Sequence, residues 1–322
     1  MILVTGASGF LGLHLLEVLV QQSLPVRALF YSFKPDWSHP LVEWVQCDLL
    51  DVYAVQDVMK DIQYVYHCAA IVSFDKKDKE RIIVQNRVGT ANLVDEALNA
   101  GVKKLLFVSS IAALGRAKTQ GARVDEETHW EESKNNTAYA ISKYQSEMEV
   151  WRAYAEGLPM VIVNPGIILG EGDFEKGSAH LFQTIYDGLN WFTEGVNGWV
   201  DVKDVVRIML QLMDSEVEGE RFVLVEGNHS YKYIFEQMAL SLGKKPATKK
   251  ASPFMGTILW RFMAVKNLFT KKKSSITKET ARTAQSKYYY SNDKILKTLA
   301  GFSFCPIQET IKRVSANFLK NK

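Results

Sequence analysis

Three glycines near the start of the chain, Gly6, Gly9 and Gly12, set the strongest constraint on its fold. Ile2, Leu3 and Val4 read as a short buried strand, and Leu11 to Val20 reads as an apolar helix. A glycine triplet in the turn between them bends the chain sharply and lets backbone approach a pyrophosphate. It also lets the helix pack closely on the strand. The helix N-terminus then presents N–H groups and the positive end of its dipole to an anion. Strand, turn and helix in this order predict a dinucleotide phosphate cradle made of Gly6, Ser8, Gly9, Phe10, Leu11 and Gly12.

The acid that would hold an NAD ribose is expected about twenty residues further on, after the second strand. That strand is Pro25 to Phe30, followed by Tyr31, Ser32, Phe33 and Lys34, with no carboxylate before Asp36. A 2′-phosphate is tolerable there and Ser32 and Lys34 could bind it, so NADP(H) is favoured over NAD(H). After a third strand, Val42 to Cys47, come Asp48 and Leu49. Asp48 reads equally as a ligand of the adenine amine and as a strand-end turn carboxylate. Tyr64 to Ala70 reads as a fourth strand whose small ends, Ala69 and Ala70, let a cofactor pass; His67 within it reads as a core histidine.

Leu105 to Ser110 is a fifth apolar strand ending in two hydroxyls. In a doubly wound sheet, ligands collect at the carboxyl ends of the strands. Tyr139 and Lys143 are four apart and share one helix face. Such a cation is expected to lower the phenol pKa from about 10 toward working pH, as a general acid requires. The expected roles are Tyr139 as acid/base, Ser110 as holder of the substrate oxygen, and Lys143 as tuner of Tyr139 and ligand of the nicotinamide ribose. Taken alone, a Tyr-x-x-x-Lys is equally a solvated helix face; the strand-end serine and the cradle make it catalytic.

The set of motifs resembles the extended short-chain dehydrogenases/reductases of the NAD-dependent epimerase/dehydratase superfamily. The matching segments are TGASGFLG at 5–12, CDLLD at 47–51, YHCAA at 66–70, NRVGTANLVDEA at 86–97, LLFVSSIAALG at 105–115, YAISK at 139–143 and VNPGIILGEGD at 163–173. Asn164-Pro165 resembles the dihydroflavonol-reductase and aldehyde-reductase branch more than the nucleotide-sugar enzymes. The resemblance implies a Ser110, Tyr139, Lys143 triad, Asn86 beside the site, and Asn164, Pro165 and Gly166 along the nicotinamide. Dehydratases of the family carry acids just after the catalytic hydroxyl, whereas Ile111 and Ala112 stand here. Epimerases acting beside a ketone carry a nearby cysteine, and sugar-nucleotide members a Tyr-Gly-Pro-Arg-type segment, where this chain has Leu169 to Asp173. A carbonyl reductase or alcohol dehydrogenase of a small-molecule substrate is expected. The rivals are a sugar-nucleotide epimerase and a non-catalytic dinucleotide sensor or membrane-associated scaffold.

At 322 residues and 47% hydrophobic content the chain suits a globular protein with one large core or two lobes. The expected fold is α/β, a Rossmann-type doubly wound parallel sheet with a smaller, mostly helical substrate lobe. Residues 1–163 and 199–227 would form the dinucleotide-binding domain, and 164–198 with 228–322 the lobe. Met1 leads straight into the first strand and Cys47, Cys68 and Cys305 are scattered, so a cytoplasmic protein without a metal site is expected. Asp201 and Asp204 read as caps of a returning helix. The family resemblance implies a homodimer through helices around 86–100 and 139–156, although those faces could equally pack on the sheet.

One stretch lies outside the family pattern. Between Lys244 and Arg282 stand eleven Lys/Arg against one acid, Glu279. Inside it, Pro253 to Phe269 is apolar and aromatic, followed by Lys271, Lys272 and Lys273. It is too short and too interrupted by Arg261 and Lys266 to span a bilayer. Three readings stay open: a lobe helix pair with a solvated basic face, peripheral membrane contact through 253–273, or attraction of an anionic substrate. The charge is local and no recognition motif accompanies it, so nucleic acid is not expected as a partner.

Overall fold

A computed structural model describes residues 1–322 apart from 74–75, 118, 120, 134–135 and 253–281. The apolar basic stretch 253–273 therefore lies outside the described residues. In chain order the elements begin with β1 (Ile2–Thr5), α1 (Phe10–Gln21), β2 (Val26–Phe30), β3 (Val42–Gln46), α2 (Val52–Val58) and β4 (Tyr64–His67). Then come α3 (Lys79–Asn99), β5 (Lys104–Val108), β6 (Arg123–Val124), α4 (Ala138–Ala155), β7 (Met160–Pro165) and β8 (Ile167–Leu169). They continue with α5 (His180–Tyr186), β9 (Trp191–Phe192), β10 (Val196–Asp201), α6 (Val202–Asp214), β11 (Glu220–Leu224) and β12 (Gly227–Ser230). The described chain ends with α7 (Tyr231–Ser241), β13 (Lys249–Lys250), β14 (Tyr289–Tyr290), α8 (Asp293–Thr298) and α9 (Ile307–Lys320).

These elements form two compact units. The first comprises 1–115, 130–165 and 202–224; the second comprises 116–129, 166–201 and 225–322. The segment 116–129 falls in the second unit because β6 pairs with β14.

The first unit is built on a seven-stranded parallel sheet in the order β11-β7-β5-β4-β1-β2-β3. Strand order reverses between β1 and β4, which is the Rossmann switch point and opens a crevice at the carboxyl ends of the strands. The central strands β1, β5 and β7 are buried along their whole length, as parallel strands covered on both faces must be. One face packs Leu105, Phe107, Met160 and Ile162 against Leu93 and Ala97 of α3 and Val150 and Ala153 of α4. Two strands end earlier than the apolar runs predict. β4 stops at His67 because the Ala69 N–H turns to the Thr5 hydroxyl at 3.1 Å, and β5 stops at Val108 because Ser110 opens a 3-10 turn.

The second unit holds the sheet β12-β10-β8 and a core of Trp199, Phe182, Ile234, Met238, Ile311 and Phe318. Arg313 of α9 donates to both carboxylate oxygens of Asp201, at 2.8 and 2.9 Å, and to Glu171 at 2.7 Å; Thr310 donates to Asp201 at 2.7 Å. Asp201 thus ends β10 as a buried ion-pair partner rather than reading as a cap. Asp204 does stand in the first turn of α6, where a carboxylate complements the helix dipole.

Candidate active site

The glycine turn follows from local sterics. Gly6 has φ +63°, and a Cβ on it would lie 2.7 Å from the Ala69 backbone. A Cβ on Gly12 would lie 2.3 Å from the Gly6 carbonyl oxygen, so only glycine lets α1 pack this closely. Gly9 is exposed, takes the N-cap position of α1 and has no side-chain cap, with Ser8 and Phe10 half-buried beside it and Leu11 buried. The first N–H groups of any helix lack intrahelical partners. An uncapped helix start behind a bare glycine is a cradle for an anion, and it fits the diphosphate of a dinucleotide.

The adenosine side is open. Tyr31 and Phe33 are 58% and 66% exposed, and Ser32 and Lys34 are exposed with them beyond β2. Asp48 is half-buried and its Oδ1 accepts from the Leu50 N–H at 3.0 Å, which is the turn role; Leu49 is half-buried and its carbonyl accepts from Asn92.

Past β4, Ala69 and Ala70 are half-buried. Asn86 clasps this loop: its Oδ1 accepts from the Ile71 N–H at 2.8 Å, and its Nδ2 donates to the Ile71 carbonyl and to Ser142 Oγ. Asn86 therefore shapes the loop floor through its own hydrogen bonds. His67 is a satisfied core histidine. The Thr90 hydroxyl donates to the Asn86 carbonyl, so it accepts from His67 Nε2; His67 Nδ1 in turn accepts from Thr5. Burial pushes its pKa down to about 3, with the Lys143 charge adding to the effect.

Ser110 lies just beyond β5 and its Oγ accepts from the Ala112 N–H at 3.1 Å. That bond leaves the hydroxyl proton free to point elsewhere, and the Ser110 side chain is hydrogen-bonded with the Tyr139 phenol. Tyr139 comes from the first turn of α4, which Thr137 caps by accepting from the Ala140 N–H at 3.0 Å. Lys143 stands one turn on, buried, donating to the Val108 carbonyl at 2.7 Å with its Nζ 5.0 Å from the centre of the Phe107 ring. The expected lowering of the phenol pKa is not what this arrangement gives. Burial raises the Tyr139 pKa and the Ser110 hydrogen bond only opposes it. Burial likewise pushes Lys143 down to about 8, with Cys68 and Glu147 opposing.

Asn164 and Pro165 close β7 and are buried, and Gly166 opens the second unit with no room for a Cβ, which would meet the Gly198 carbonyl at 2.5 Å. Asn164 Nδ2 donates to the Ser110 carbonyl at 3.0 Å and to Glu147 Oε1 at 2.5 Å. Glu147 went unread in the sequence, where a glutamate on an amphipathic helix suggests a wet face. Its place four residues beyond Lys143, in line with Tyr139, was the available signal.

Among the described residues no group of three His, Cys, Asp or Glu is placed to hold a metal, and no helix is long and apolar enough to cross a membrane.

A parallel sheet of this order, with a glycine cradle and a Ser-Tyr-Lys cluster at one edge, defines a nicotinamide-dinucleotide-dependent Rossmann enzyme. The chain belongs to the NAD dependent epimerase/dehydratase family, whose sequence profile matches residues 2–224. It is 34% identical over 233 residues to sterol demethylase protein B of Methylococcus capsulatus, covering 70% of each chain. It is 31% identical over 306 residues to a Synechocystis sp. protein provisionally named dihydroflavonol 4-reductase, covering 92% of this chain and 88% of that one. Among solved structures it is similar to gox2253, with TM-score 0.83 and 26% identity over 100% of this chain and 98% of that one.

Proposed function

We propose that this protein is an NADP(H)-preferring reductase or dehydrogenase acting on a carbonyl or alcohol of a small or medium-sized molecule. The observation that carries the reading is the half-buried Tyr139 phenol, hydrogen-bonded with the strand-end Ser110 one turn from the buried Lys143 ammonium. When bound, the nicotinamide supplies or accepts the hydride. Tyr139 gives a proton to the substrate oxygen in reduction and removes it in oxidation. Ser110, its acceptor side held by Ala112, donates to that oxygen, and Lys143 takes the ribose hydroxyls.

The first unit would hold the dinucleotide: Gly6 to Gly12 the diphosphate, Asp48 and Leu49 the adenine, and Ala69, Ala70, Asn164 and Pro165 the nicotinamide end. Exposed Ser32 and Lys34, with no carboxylate before Asp36, support a 2′-phosphate there. Ile111 and Ala112 after Ser110 support simple redox over elimination. In the second unit, Arg313 is committed to Asp201 and Glu171, which leaves it a poor partner for the diphosphate of a sugar nucleotide. The Synechocystis sp. relative provisionally named dihydroflavonol 4-reductase supports the same direction. A homodimer through α3 and α4 is supported by exposed Val84 and Met148 on those helices.

The test is NADPH oxidation with a panel of aldehydes and ketones, wild type against Tyr139→Phe. The variant should bind NADPH with unchanged affinity and lose turnover by about 10²-fold or more. Retained turnover removes Tyr139 from the reaction. NAD carried through purification, with a sugar nucleotide interconverted and no net redox change, replaces the reductase with an epimerase.

A further inference from the structure

Glu147 is the most deeply buried carboxylate on the catalytic helix, with its side chain 0% exposed. Its two oxygens accept from different elements: Oε1 from Asn164 Nδ2 of β7 at 2.5 Å, and Oε2 from the Arg221 guanidinium of β11 at 3.3 Å. Asn164 Nδ2 also donates to the Ser110 carbonyl at 3.0 Å. Both of its protons are used, and the opposite amide orientation would set Oδ1 against two acceptors. Glu147, Asn164 and Ser110 thus form one chain from the middle of α4 to the residue assigned to the substrate oxygen.

The surroundings of Lys143 make the same carboxylate important a second way. The groups acting on the ammonium are Glu147 of its own helix, His67 and Cys68 at the end of β4, and the Val108 carbonyl and Phe107 ring of β5. α3 reaches this part of α4 through Asn86 and Ser142, which are neutral. His67 is held neutral near pH 7 by burial, with a pKa of about 3, and the Cys68 thiol is pushed up to about 12, so it too is neutral. Among these groups the negative charge comes from Glu147. A carboxylate whose oxygens both accept hydrogen bonds, one from a guanidinium, suits the ionised form, although burial raises its pKa.

We propose that Glu147 is a positioning residue for the reaction: it fixes Ser110 through Asn164 and serves as the buried counter-charge that keeps Lys143 protonated. This rests on the Ser110, Tyr139, Lys143 reading given above. The competing role is a plain structural tie between α4 and β11 through Arg221. The two roles differ in one observable, because a tie does not change the protonation of Lys143.

The experiment follows Lys143 directly in the cofactor-free protein, by NMR of [13Cε]-lysine with a Lys143→Met spectrum for assignment. The wild-type midpoint should lie at about 8. In Glu147→Gln, which keeps the shape and one acceptor but removes the charge, it should fall by about one pH unit. The alkaline limb of kcat/KM should move with it, so that activity at pH 8 drops about fivefold beyond any loss seen at pH 6. An unmoved midpoint overturns the proposal and leaves the structural tie. If Glu147→Gln alone does not fold, the double variant Lys143→Met/Glu147→Gln decides. Recovery of a folded protein supports a coupled charge pair, and failure in both backgrounds overturns it. The titration needs no turnover, so it separates from the larger reading. A shifted midpoint with full activity in Tyr139→Phe would sink the reductase mechanism and leave the Glu147–Lys143 coupling standing.

Discussion

Gly9 and Gly12 sit three residues apart, yet substitution should separate packing from binding. An alanine at position 12 drives its Cβ to 2.3 Å from the Gly6 oxygen and 2.7 Å from Ala7 Cα. Both are backbone atoms, so α1 must move away from β1. Gly12→Ala should cost about 1–3 kcal/mol of stability and lose cofactor binding with it. Gly9 is exposed, and its Cβ would meet only the Gly6 oxygen, at 3.1 Å. Gly9→Ala should leave the urea midpoint almost unchanged and still weaken NADPH tenfold or more, because the added methyl occupies the approach of the diphosphate. Equal effects of both variants on stability would mean that Gly9 is a packing residue. His67 gives a second prediction at this scale. Its folded pKa of about 3 lies below the ordinary 6.5, so the unfolded chain takes up a proton that the native state refuses. Stability from this group is present above pH 6.5 and is lost as pH falls toward 3, at up to about 1.4 kcal/mol per pH unit. His67→Gln should flatten that part of the stability–pH curve; an unchanged slope would show that His67 is not held neutral.

At the scale of elements, α9 is fastened to β10 by charge as well as by its apolar face. Asp201 has no exposed side-chain surface and receives Arg313 and Thr310. Arg313→Met would leave that carboxylate buried without its cation, and the expected loss is about 3–5 kcal/mol, read as a drop in urea midpoint. Pairing it with Asp201→Asn should recover much of the loss, and no recovery would argue that Arg313 acts by packing alone. This anchor was invisible in the sequence, because Asp201 and Arg313 are 112 residues apart and an aspartate before a helix reads as a cap. Elements with strong local signals were legible. The runs Ile2–Thr5, Lys104–Val108 and Met160–Pro165 announced buried parallel strands, and the glycine turn announced its helix. The two-residue strands β6, β9, β13 and β14 carry no period of their own and exist only through distant pairing, as with Tyr289 beside Arg123. The residues of the candidate site were legible as types and spacings. Their energetics were not, since burial dominates both Tyr139 and Lys143 and burial is a property of the packed chain.

For the molecule as a whole, the open matter is which dinucleotide the first unit prefers, and linkage makes it measurable without a substrate. A ligand that binds only the native state stabilises it by RT ln(1 + [L]/Kd), about 2.7 kcal/mol at a hundredfold excess over Kd. For a protein of this size each kcal/mol moves the midpoint of thermal unfolding by roughly 2 °C. At equal concentrations, tenfold tighter NADPH binding is worth about 1.4 kcal/mol more than NADH, or roughly 3 °C. That difference should vanish in Ser32→Ala/Lys34→Ala, because the exposed hydroxyl and ammonium beyond β2 are the groups proposed to meet the 2′-phosphate. The NADH shift itself should be unaffected, since neither side chain is needed for a ribose hydroxyl. A larger NADH shift in the wild type would reverse the cofactor preference and turn attention to Asp36 as the ribose acid. Equal shifts in wild type and double variant would instead place 2′-phosphate recognition elsewhere.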